Sequence, residues 1–495
     1  MTATTVRRRM YRGPRSEAQT KSNLLAVTYA SNATSVDGAI QSRARNLGAR
    51  TGSALTFDRV GHTVRIIGAG SADPQSVKTQ LKSVPGVVAV SDVHRVYAQT
   101  KGPTLTTDPY FAGLSGSAPP LYQTDLAGGQ WDMHIVQLEH AFSYGLGSTN
   151  VKLAIIDSGE DVTHPDLAAD DIVRTQCFIS TPDGTQQSTG TFVTDPDGHG
   201  TNVTGIAAAA INNGYGFVGD AGRVALMLYR VFPTPDDNCA HPPTTDRQCG
   251  TSTIDIASAI NDAVANGANI ISMSLGADGS TCTNGVDPDT LEGTAVANAI
   301  AHNVIVVAAT GNDGGAPVTP PGCDSGVIAV GASSYNDGNP NASGFTGTRT
   351  EYVPSYANFG STNSLRSASS WGIVAPGGDG DGSSPTIYYL QWVENIWTTT
   401  PFDGNFDGAC APDPSTGATD CSILIAGTSM STPHVAGAAA LVLSVNAAAY
   451  GTPAAMKQLL CSTADDIGDP NQGCGRLNVY RAMAVASGDP NPPPF

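Results

Sequence analysis

One stretch organises the other features of this chain, Gly427-Thr428-Ser429-Met430-Ser431-Thr432-Pro433-His434-Val435-Ala436-Gly437. Small and apolar residues continue from it to Leu443, which predicts a tight turn entering a buried helix with Pro433 in its first turn. Ser429 would then lie at the helix N-terminus, where unpaired backbone N–H groups favour negative charge. A serine there can be a nucleophile whose own N–H binds the oxyanion it creates, or simply an N-cap.

Two other stretches contain the groups that a nucleophilic serine requires. Residues 151–156 have the pattern of a buried strand, and Asp157 follows its C-terminal end. The stretch Asp195-Pro196-Asp197-Gly198-His199 leads into a helix of small residues. A serine is a weak nucleophile that needs a base, and the base needs an orienting carboxylate. The order Asp157, His199, Ser429 therefore predicts a catalytic triad, whereas His434 is expected to be a packed structural histidine.

Strand-like and helix-like stretches alternate through the larger part of the chain. This alternation predicts an α/β fold, with a parallel sheet covered by helices on both faces and chemistry at the C-terminal strand ends. The predicted strands are 151–156, 224–231, 269–274, 303–309 and 327–332. The predicted helices are 200–211, 253–266, 288–302, 431–445 and 453–461.

The three blocks, in this order, resemble the subtilisin-like serine proteases (subtilases, peptidase S8 type) over roughly residues 105–487. The resemblance implies a secreted serine endopeptidase that works through an acyl-enzyme. It assigns Asn312 to the oxyanion hole together with the N–H of Ser429; alone, Asn312 would be read as a turn residue. It also implies that an extended substrate pairs with residues 274–276 and lies beside a second wall. The substrate-binding residues that the resemblance implies are Ser274, Leu275, Gly276, Ala308, Ala309 and Gly311.

Two other classes of protein are alternatives to this interpretation. An α/β-hydrolase esterase requires the motif G-x-S-x-G and the order Ser, Asp, His, and the chain has neither. A catalytically silent peptide-binding pseudoprotease remains the alternative, although such a protein would be expected to have lost a triad member.

Charge is distributed unevenly along the 495 residues, whose formal net charge is -18. Residues 1–100 contain 14 Lys and Arg against 5 Asp and Glu, and the remainder contains 11 against 38. A basic segment before an acidic domain suggests that the two bind each other, and it does not suggest nucleic acid. The predicted partners are protein or peptide substrates and the chain's own N-terminal segment, in a monomer without a membrane span.

Five regions are predicted. Residues 22–99 follow the order βαββαβ of a small ferredoxin-like unit, similar to the propeptide of subtilases, which acts as folding chaperone and inhibitor. The regions are 1–21 (disordered basic leader), 22–99 (propeptide domain), 100–120 (linker), 121–487 (peptidase domain) and 488–495 (Pro-rich tail).

The nine cysteines indicate an oxidising, extracytoplasmic compartment, because close pairs lie in loop-like surroundings and no spacing suits zinc. Residues 1–20 contain no apolar region of an ordinary secretory signal, so export is inferred from the cysteines and the family. Sequence alone leaves the connectivity open. The predicted pairs are 239–249, 282–323, 410–421 and 461–474, with Cys177 left as a thiol.

No cofactor is expected for the chemistry, but a structural calcium ion is predicted beside the helix that begins at His199. A Gly-rich turn at 211–217 can direct carbonyl oxygens inward, and Asp166 and Asn213 can add side-chain oxygens, the ligands that calcium prefers. A solvated turn is the competing interpretation. The candidate ligands are Asp166, Ile211, Asn213, Tyr215 and Phe217.

The segment from Val93 to Thr100 ends a strand near Tyr97 and continues with small and polar residues. This pattern suits an extended substrate with Tyr97 in an apolar pocket. Subtilase precursors cleave themselves at a comparable junction, so self-cleavage is expected between about Tyr97 and Thr107.

Overall fold

The computed structural model describes most of the chain. Described are residues 24–30, 33–57, 62–69, 72–92, 108, 111, 130–167, 171–180, 186–189, 195, 197–232, 250–277, 280–336, 350–360, 371–379, 392–398, 409–412 and 419–493. The chain divides into two compact units, Met1–Thr100 and Lys101–Phe495.

The first unit has the predicted order βαββαβ. Its antiparallel sheet has the order β2-β3-β1-β4, and Asp73 caps the second helix by accepting a hydrogen bond from the backbone N–H of Ser76. Leu25, Val27, Ile40 and Leu81 belong to a core of its own. The elements are β1 Leu24–Ala30, α1 Thr34–Asn46, β2 Arg50–Phe57, β3 His62–Gly68, α2 Pro74–Lys82 and β4 Val87–Asp92.

The second unit contains the remaining elements. Its helices are α3 Trp131–Ile135, α4 Leu138–Ala141, α5 His199–Ala208, α6 Thr253–Ala265, α7 Thr290–Ala301, α8 Thr428–Tyr450, α9 Pro453–Thr463 and α10 Val479–Ala486. Its strands are β5 Gly147–Asp157, β6 Ile172–Ser180, β7 Gln186–Thr189, β8 Arg223–Arg230, β9 Ile270–Met273, β10 Ile305–Ala309, β11 Ile328–Asn336, β12 Thr350–Tyr352, β13 Gly372–Pro376, β14 Val393–Ile396, β15 Ala409–Pro412 and β16 Thr419–Ile425.

A large sheet of order β12-β11-β10-β9-β5-β8-β6-β7, with β13 beside β11, forms the centre of this unit. Its inner strands are parallel, as predicted, but β12 and β7 pair antiparallel with their neighbours, so the sheet is mixed at its edges. A separate antiparallel sheet, β14-β16-β15, leads directly into α8.

Alternate side chains of β5 show that both faces of the large sheet are covered. Leu153 and Ile155 belong to the core that contains α5 and α8. Ala154 and Ile156 belong to the opposite core, which contains α6 and α7. Because β5 is buried on both faces, it ends as a rigid support for Asp157.

Helix α8 begins earlier than predicted, at Thr428, so Pro433 lies in the second turn and not in the first. Gly427 is extended there, with φ 161° and ψ 162°, which allows the helix to start one residue before Ser429. Pro433 cannot donate to the carbonyl of Ser429 four residues earlier. The hydroxyl of Ser274 donates to that carbonyl instead, at 2.8 Å.

Length and composition alone would allow α8 to cross a membrane, with a mean hydropathy of 1.3. The sequence predicts no membrane span. In this fold 67% of the apolar window is buried, and α8 packs against α5 and β5 as a core helix.

The cysteines follow the prediction where the structure describes them. Cys282 bonds to Cys323 and Cys461 to Cys474, with Cα–Cα distances of 5.7 and 5.2 Å. Cys421 is disulfide-bonded and stands opposite Cys410 in the β15–β16 register. Cys177 is buried and carries no disulfide. The pair 239–249 lies outside the described residues.

Candidate active site

His199 and Asp157 meet at the C-terminal end of β5. The Nδ1 atom of His199 lies 2.7 Å from Oδ1 of Asp157, which also accepts a hydrogen bond from the backbone N–H of Ser158. Asp157 is 1% exposed, and 15% of the His199 side chain is accessible. A buried carboxylate on Nδ1 fixes the ring orientation and leaves Nε2 as the basic nitrogen.

The loop after Asp157 is fastened to the first turns of α5 at several points. A Cβ on Gly200 would lie 1.9 Å from the carbonyl oxygen of Gly159, so only glycine allows this approach. Ser158 Oγ accepts from the N–H of Gly200 and donates to Asp195, whose other oxygen accepts from the N–H and hydroxyl of Thr201. These bonds hold the imidazole against Asp157.

Asn202 belongs to the same helix and is fully buried. Its Nδ2 donates to the carbonyl of Ile396 at 3.0 Å. This bond fastens α5 to β14, so Asn202 stabilises the helix that carries His199.

Several acids change the protonation of His199. Burial by itself would lower the pKa of His199, but the charge and hydrogen bond of Asp157, with the charges of Asp197 and Asp195, outweigh it and raise the pKa to about 9. Burial, followed by the charge of Asp197, raises the pKa of Asp195 to about 6. A histidine with this pKa must lose its proton before it can act as a base, so its basic form gains population as pH rises.

Ser429 lies in the first turn of α8, and its hydroxyl donates to the carbonyl of Ser274 at 3.2 Å. In return the Ser274 hydroxyl donates to the carbonyl of Ser429, so the serine is fixed to the segment that follows β9. The backbone N–H of Ser429 has no acceptor among the described residues, as expected for the first turn of a helix.

The side chain of Asn312 is oriented by Thr428. Its Oδ1 accepts from both the N–H and the hydroxyl of Thr428, at 3.0 and 2.9 Å, which leaves its NH₂ group as a donor. A Cβ on Gly427 would lie 3.6 Å from Asn312 Nδ2 and 3.8 Å from the nitrogen of Ser429. Two donors therefore flank one glycine, which is the arrangement that an oxyanion requires.

The two predicted walls of the substrate site are joined by Thr319, which sequence analysis missed. A Cβ on Gly276 would lie 2.6 Å from Thr319 Oγ1, and one on Gly311 would lie 3.1 Å from the same atom. Thr319 is buried and donates to the carbonyl of Thr310. No motif marks Thr319, because its role depends on two segments that meet only in space.

The other residues predicted to bind substrate differ in their exposure to solvent. Ser274 is buried, Leu275 is 9% exposed, and Gly276 is exposed. The side chains of Ala308 and Ala309 are buried, and that of Ala308 lies in the core beneath α6 and α7. Ala308 can therefore contribute only backbone to a pocket wall, because its methyl group faces away into the core.

His434 is fully buried and pairs with two acids, as expected of a structural histidine. Its Nδ1 lies 2.6 Å from Asp220, and its Nε2 lies 3.5 Å from Asp132. Burial would lower the pKa of His434, but the charge of Asp220 and the bonds to both acids raise it to about 9. The cluster connects α8 to α3.

The predicted calcium loop is held by two carboxylates. Asp166 accepts from Asn213 Nδ2 at 2.8 Å and from the N–H of Phe217 at 2.6 Å. Asp108, which sequence analysis placed in a linker, is fully buried and accepts from the N–H groups of Asn212, Asn213 and Gly214. In the described part of the chain, no three His, Cys, Asp or Glu side chains are arranged to hold a metal ion.

Similarity to known proteins identifies the family of this chain. Residues 148–477 match the Subtilase family. Thermitase of Thermoactinomyces vulgaris is 30% identical over 356 residues, 72% of this chain and 95% of thermitase. Subtilisin Savinase of Lederbergia lenta is 29% identical over 353 residues, 71% of this chain and 97% of the relative. A protease structure from Pseudoalteromonas arctica, 26% identical with a TM-score of 0.53, covers 77% of this chain and 99% of its own.

The sheet is mostly parallel and lies between two helical layers. Together with these similarities, this fold defines a serine protease. The chain belongs to the subtilase family.

Proposed function

We propose that this subtilase is an endopeptidase that hydrolyses peptide bonds through an acyl-enzyme, with Asp157, His199 and Ser429 as its catalytic triad. The observation that carries the proposal is that Asp157 and Ser274 lie at the C-terminal ends of the neighbouring parallel strands β5 and β9, and that Ser429 bonds to Ser274. Asp157 at the end of β5 orients His199 at the start of α5, and Ser429 begins α8 beside the two donors at Gly427.

In the proposed reaction, Ser429 Oγ attacks the peptide carbonyl while His199 Nε2 takes the hydroxyl proton. Asn312 Nδ2 and the N–H of Ser429 bind the oxygen as it becomes negative. His199 then gives the proton to the leaving amine, and water releases the acyl group in a second cycle. Before substrate binds, the Ser429 hydroxyl donates its hydrogen bond to the carbonyl of Ser274. The hydroxyl must therefore rotate toward His199 before the proton can be transferred.

Labelling with a serine-directed fluorophosphonate, followed by peptide mapping, tests this proposal. The label is expected on Ser429, because the proposed triad would activate this hydroxyl. An unlabelled protein that still binds peptides would favour the alternative, a catalytically silent peptide-binding pseudoprotease.

Replacing Asn312 is expected to lower kcat by about 10²–10³-fold with little change in KM, a magnitude established on a subtilisin and carried over to this chain. Asn312→Ala removes the donor, and Asn312→Asp keeps the oxygen that Thr428 holds while removing the NH₂ group. Both variants should therefore lose transition-state binding, as steady-state kinetics would show. A loss below tenfold in both would remove Asn312 from the oxyanion hole.

We also propose a structural calcium ion at the 211–217 loop, since two carboxylates and an amide converge there and oxygen donors suit this ion. Asp166 and Asn213 would hold it, with Asp108 as the ligand from the N-terminal segment and carbonyls of Ile211, Tyr215 and Phe217 completing the shell. The ion would brace the loop that follows α5 and take no part in the chemistry.

Removal of calcium with a chelator is expected to lower the melting temperature, because binding to the folded state alone stabilises it. The matched variant Asp108→Asn should melt at a lower temperature in calcium and respond less to the chelator. A melting temperature that the chelator leaves unchanged in the unsubstituted protein would contradict the site.

We further propose that the chain is made as a self-processing precursor, exported to an oxidising compartment, in which residues 22–99 inhibit the peptidase. The support is the βαββαβ topology of the first unit, the excess of basic residues before Thr100 and the disulfides of the second unit. The junction itself, from Tyr97 to Thr107, lies outside the described residues.

N-terminal sequencing of the purified active protein is expected to find a start between about Tyr97 and Thr107, or further along after a second trim. Added salt should weaken inhibition by the released segment, because exposed charges are screened within roughly 8–10 Å. If a Ser429→Ala precursor matures at the same site without added protease, the cut does not come from its own triad.

A further inference from the structure

Glu160 is a completely buried acid beside the proposed triad, and the mechanism above leaves it without a role. It lies three residues beyond Asp157 and is 0% exposed. Its Oε1 accepts a hydrogen bond from Thr204 Oγ1, on the helix that carries His199, at 3.2 Å. Its Oε2 has no partner among the described residues, and neither has Oδ2 of Asp157.

The charges that act on Glu160 all have the same sign. Burial first, and then the charges of Asp195 and Asp157, raise the pKa of Glu160 well above its ordinary range, while the hydrogen bond from Thr204 opposes them weakly. The acids come from the two elements that meet at this point, the end of β5 and the loop before α5. The nearest cationic group on α5, His199, is already bonded to Asp157. A buried carboxyl in these surroundings keeps its proton.

We propose that Glu160 is a positioning residue of the triad, which as a neutral acid holds the His199 helix through Thr204 and which stops catalysis when it ionises. The proposal rests on the proposed function, since it requires that His199 is the base.

The physical step is the loss of one proton from Glu160 to bulk water. A third negative charge would then share the pocket of Asp157 and Asp195. Repulsion from these two acids moves the ionised carboxylate and disturbs the contact with Thr204 that positions the His199 helix. The base is then misplaced, so activity falls as pH rises through the ionisation of Glu160.

The pH dependence of kcat/KM separates this role from a merely structural one. The unsubstituted enzyme is expected to lose activity on the alkaline side by about tenfold for each pH unit beyond the inflection. Glu160→Gln, which cannot ionise, should lack this decline.

Glu292→Gln is the matched control, because Glu292 is also buried. Burial and the charges of Asp287 and Asp324 raise the pKa of Glu292 to about 8. The control should keep the decline. Superimposable alkaline limbs in the unsubstituted enzyme and Glu160→Gln would overturn the proposal.

A second pair of variants tests the bond to Thr204. Glu160→Leu removes the acceptor, and Thr204→Val removes the donor from the opposite side. Each should lower kcat several-fold at nearly constant KM, because the base is misplaced while the substrate walls are intact. Glu160→Gln should restore kcat relative to Glu160→Leu, since its amide oxygen accepts the same bond. Unchanged kcat in both Glu160→Leu and Thr204→Val would overturn the positioning role.

Thermal melting tests Glu160 independently of catalysis. A carboxyl whose pKa is raised on folding adds stability below its unfolded pKa, and this stability is lost as pH rises through the folded value. The melting temperature of Glu160→Gln minus that of the unsubstituted protein should therefore grow from about pH 4.5 upward. A difference that is constant with pH would overturn the neutral state of Glu160.

If the protein neither hydrolyses peptides nor takes the fluorophosphonate, the proposed function fails while this measurement still decides the protonation of Glu160.

Discussion

Ser429→Ala is expected to abolish peptide hydrolysis while the protein keeps its fold. The hydroxyl makes one hydrogen bond, to the carbonyl of Ser274, and the reverse bond from Ser274 ends on the backbone of residue 429, which alanine retains. Alanine also suits the first turn of a helix. Removal of the nucleophile of a subtilisin costs about 10⁶-fold in kcat, and a loss of that order is expected here.

The measurement is hydrolysis of a casein-type substrate beside circular dichroism and thermal melting. Ser431→Ala is the matched control, because Ser431 is two residues further along the same helix, fully buried, and its hydroxyl has no partner among the described residues. This control should remain active. Undiminished hydrolysis by Ser429→Ala would refute the proposed nucleophile.

Local pattern was sufficient to predict most of the elements. The apolar run 151–156 ended where Asp157 begins the site, and the βαββαβ order of the first unit followed from alternating short segments. Each of these signals lies within a dozen neighbouring residues, where periodicity and turn residues act directly. The start of α8 differs from the prediction because proline is favoured in the first turn of a helix, whereas here Ser274 donates to the carbonyl that Pro433 leaves without a donor.

Contacts between distant segments could not be predicted in this way. Thr319 joins Gly276 to Gly311, and Asp108 reaches a loop about a hundred residues further along the chain. Neither residue belongs to a motif, and Asp108 stands in a Pro-rich stretch that has the composition of a linker. The sequence also gives no sign of Glu160, since its raised pKa comes from burial and from the neighbouring charges of Asp195 and Asp157. Such effects depend on the three-dimensional environment and not on spacing.

Asp157→Asn is expected to lower kcat by about 10⁴-fold, the magnitude found for this change in another serine protease. An asparagine fills the same volume, so the N–H of Ser158 and the junction with α5 can remain in place. The amide, however, can donate to Nδ1 of His199 and so favours the tautomer that carries its proton on Nε2. That tautomer cannot accept the proton of Ser429.

The pH profile of this variant provides the sharper test. Burial lowers the pKa of His199, and the charge of Asp157 is the largest of the influences that raise it to about 9. Without that charge the residual activity should reach its plateau at a lower pH than in the unsubstituted enzyme.

Asp195→Asn is the control, because Asp195 is equally buried and bonds to Ser158 and Thr201 but not to the imidazole. It should shift the profile slightly in the same direction, since its charge also acts on His199, and retain far more activity. Equal losses in the two variants would mean that the pocket tolerates no change of charge, and Asp157 would have no special role in orienting His199.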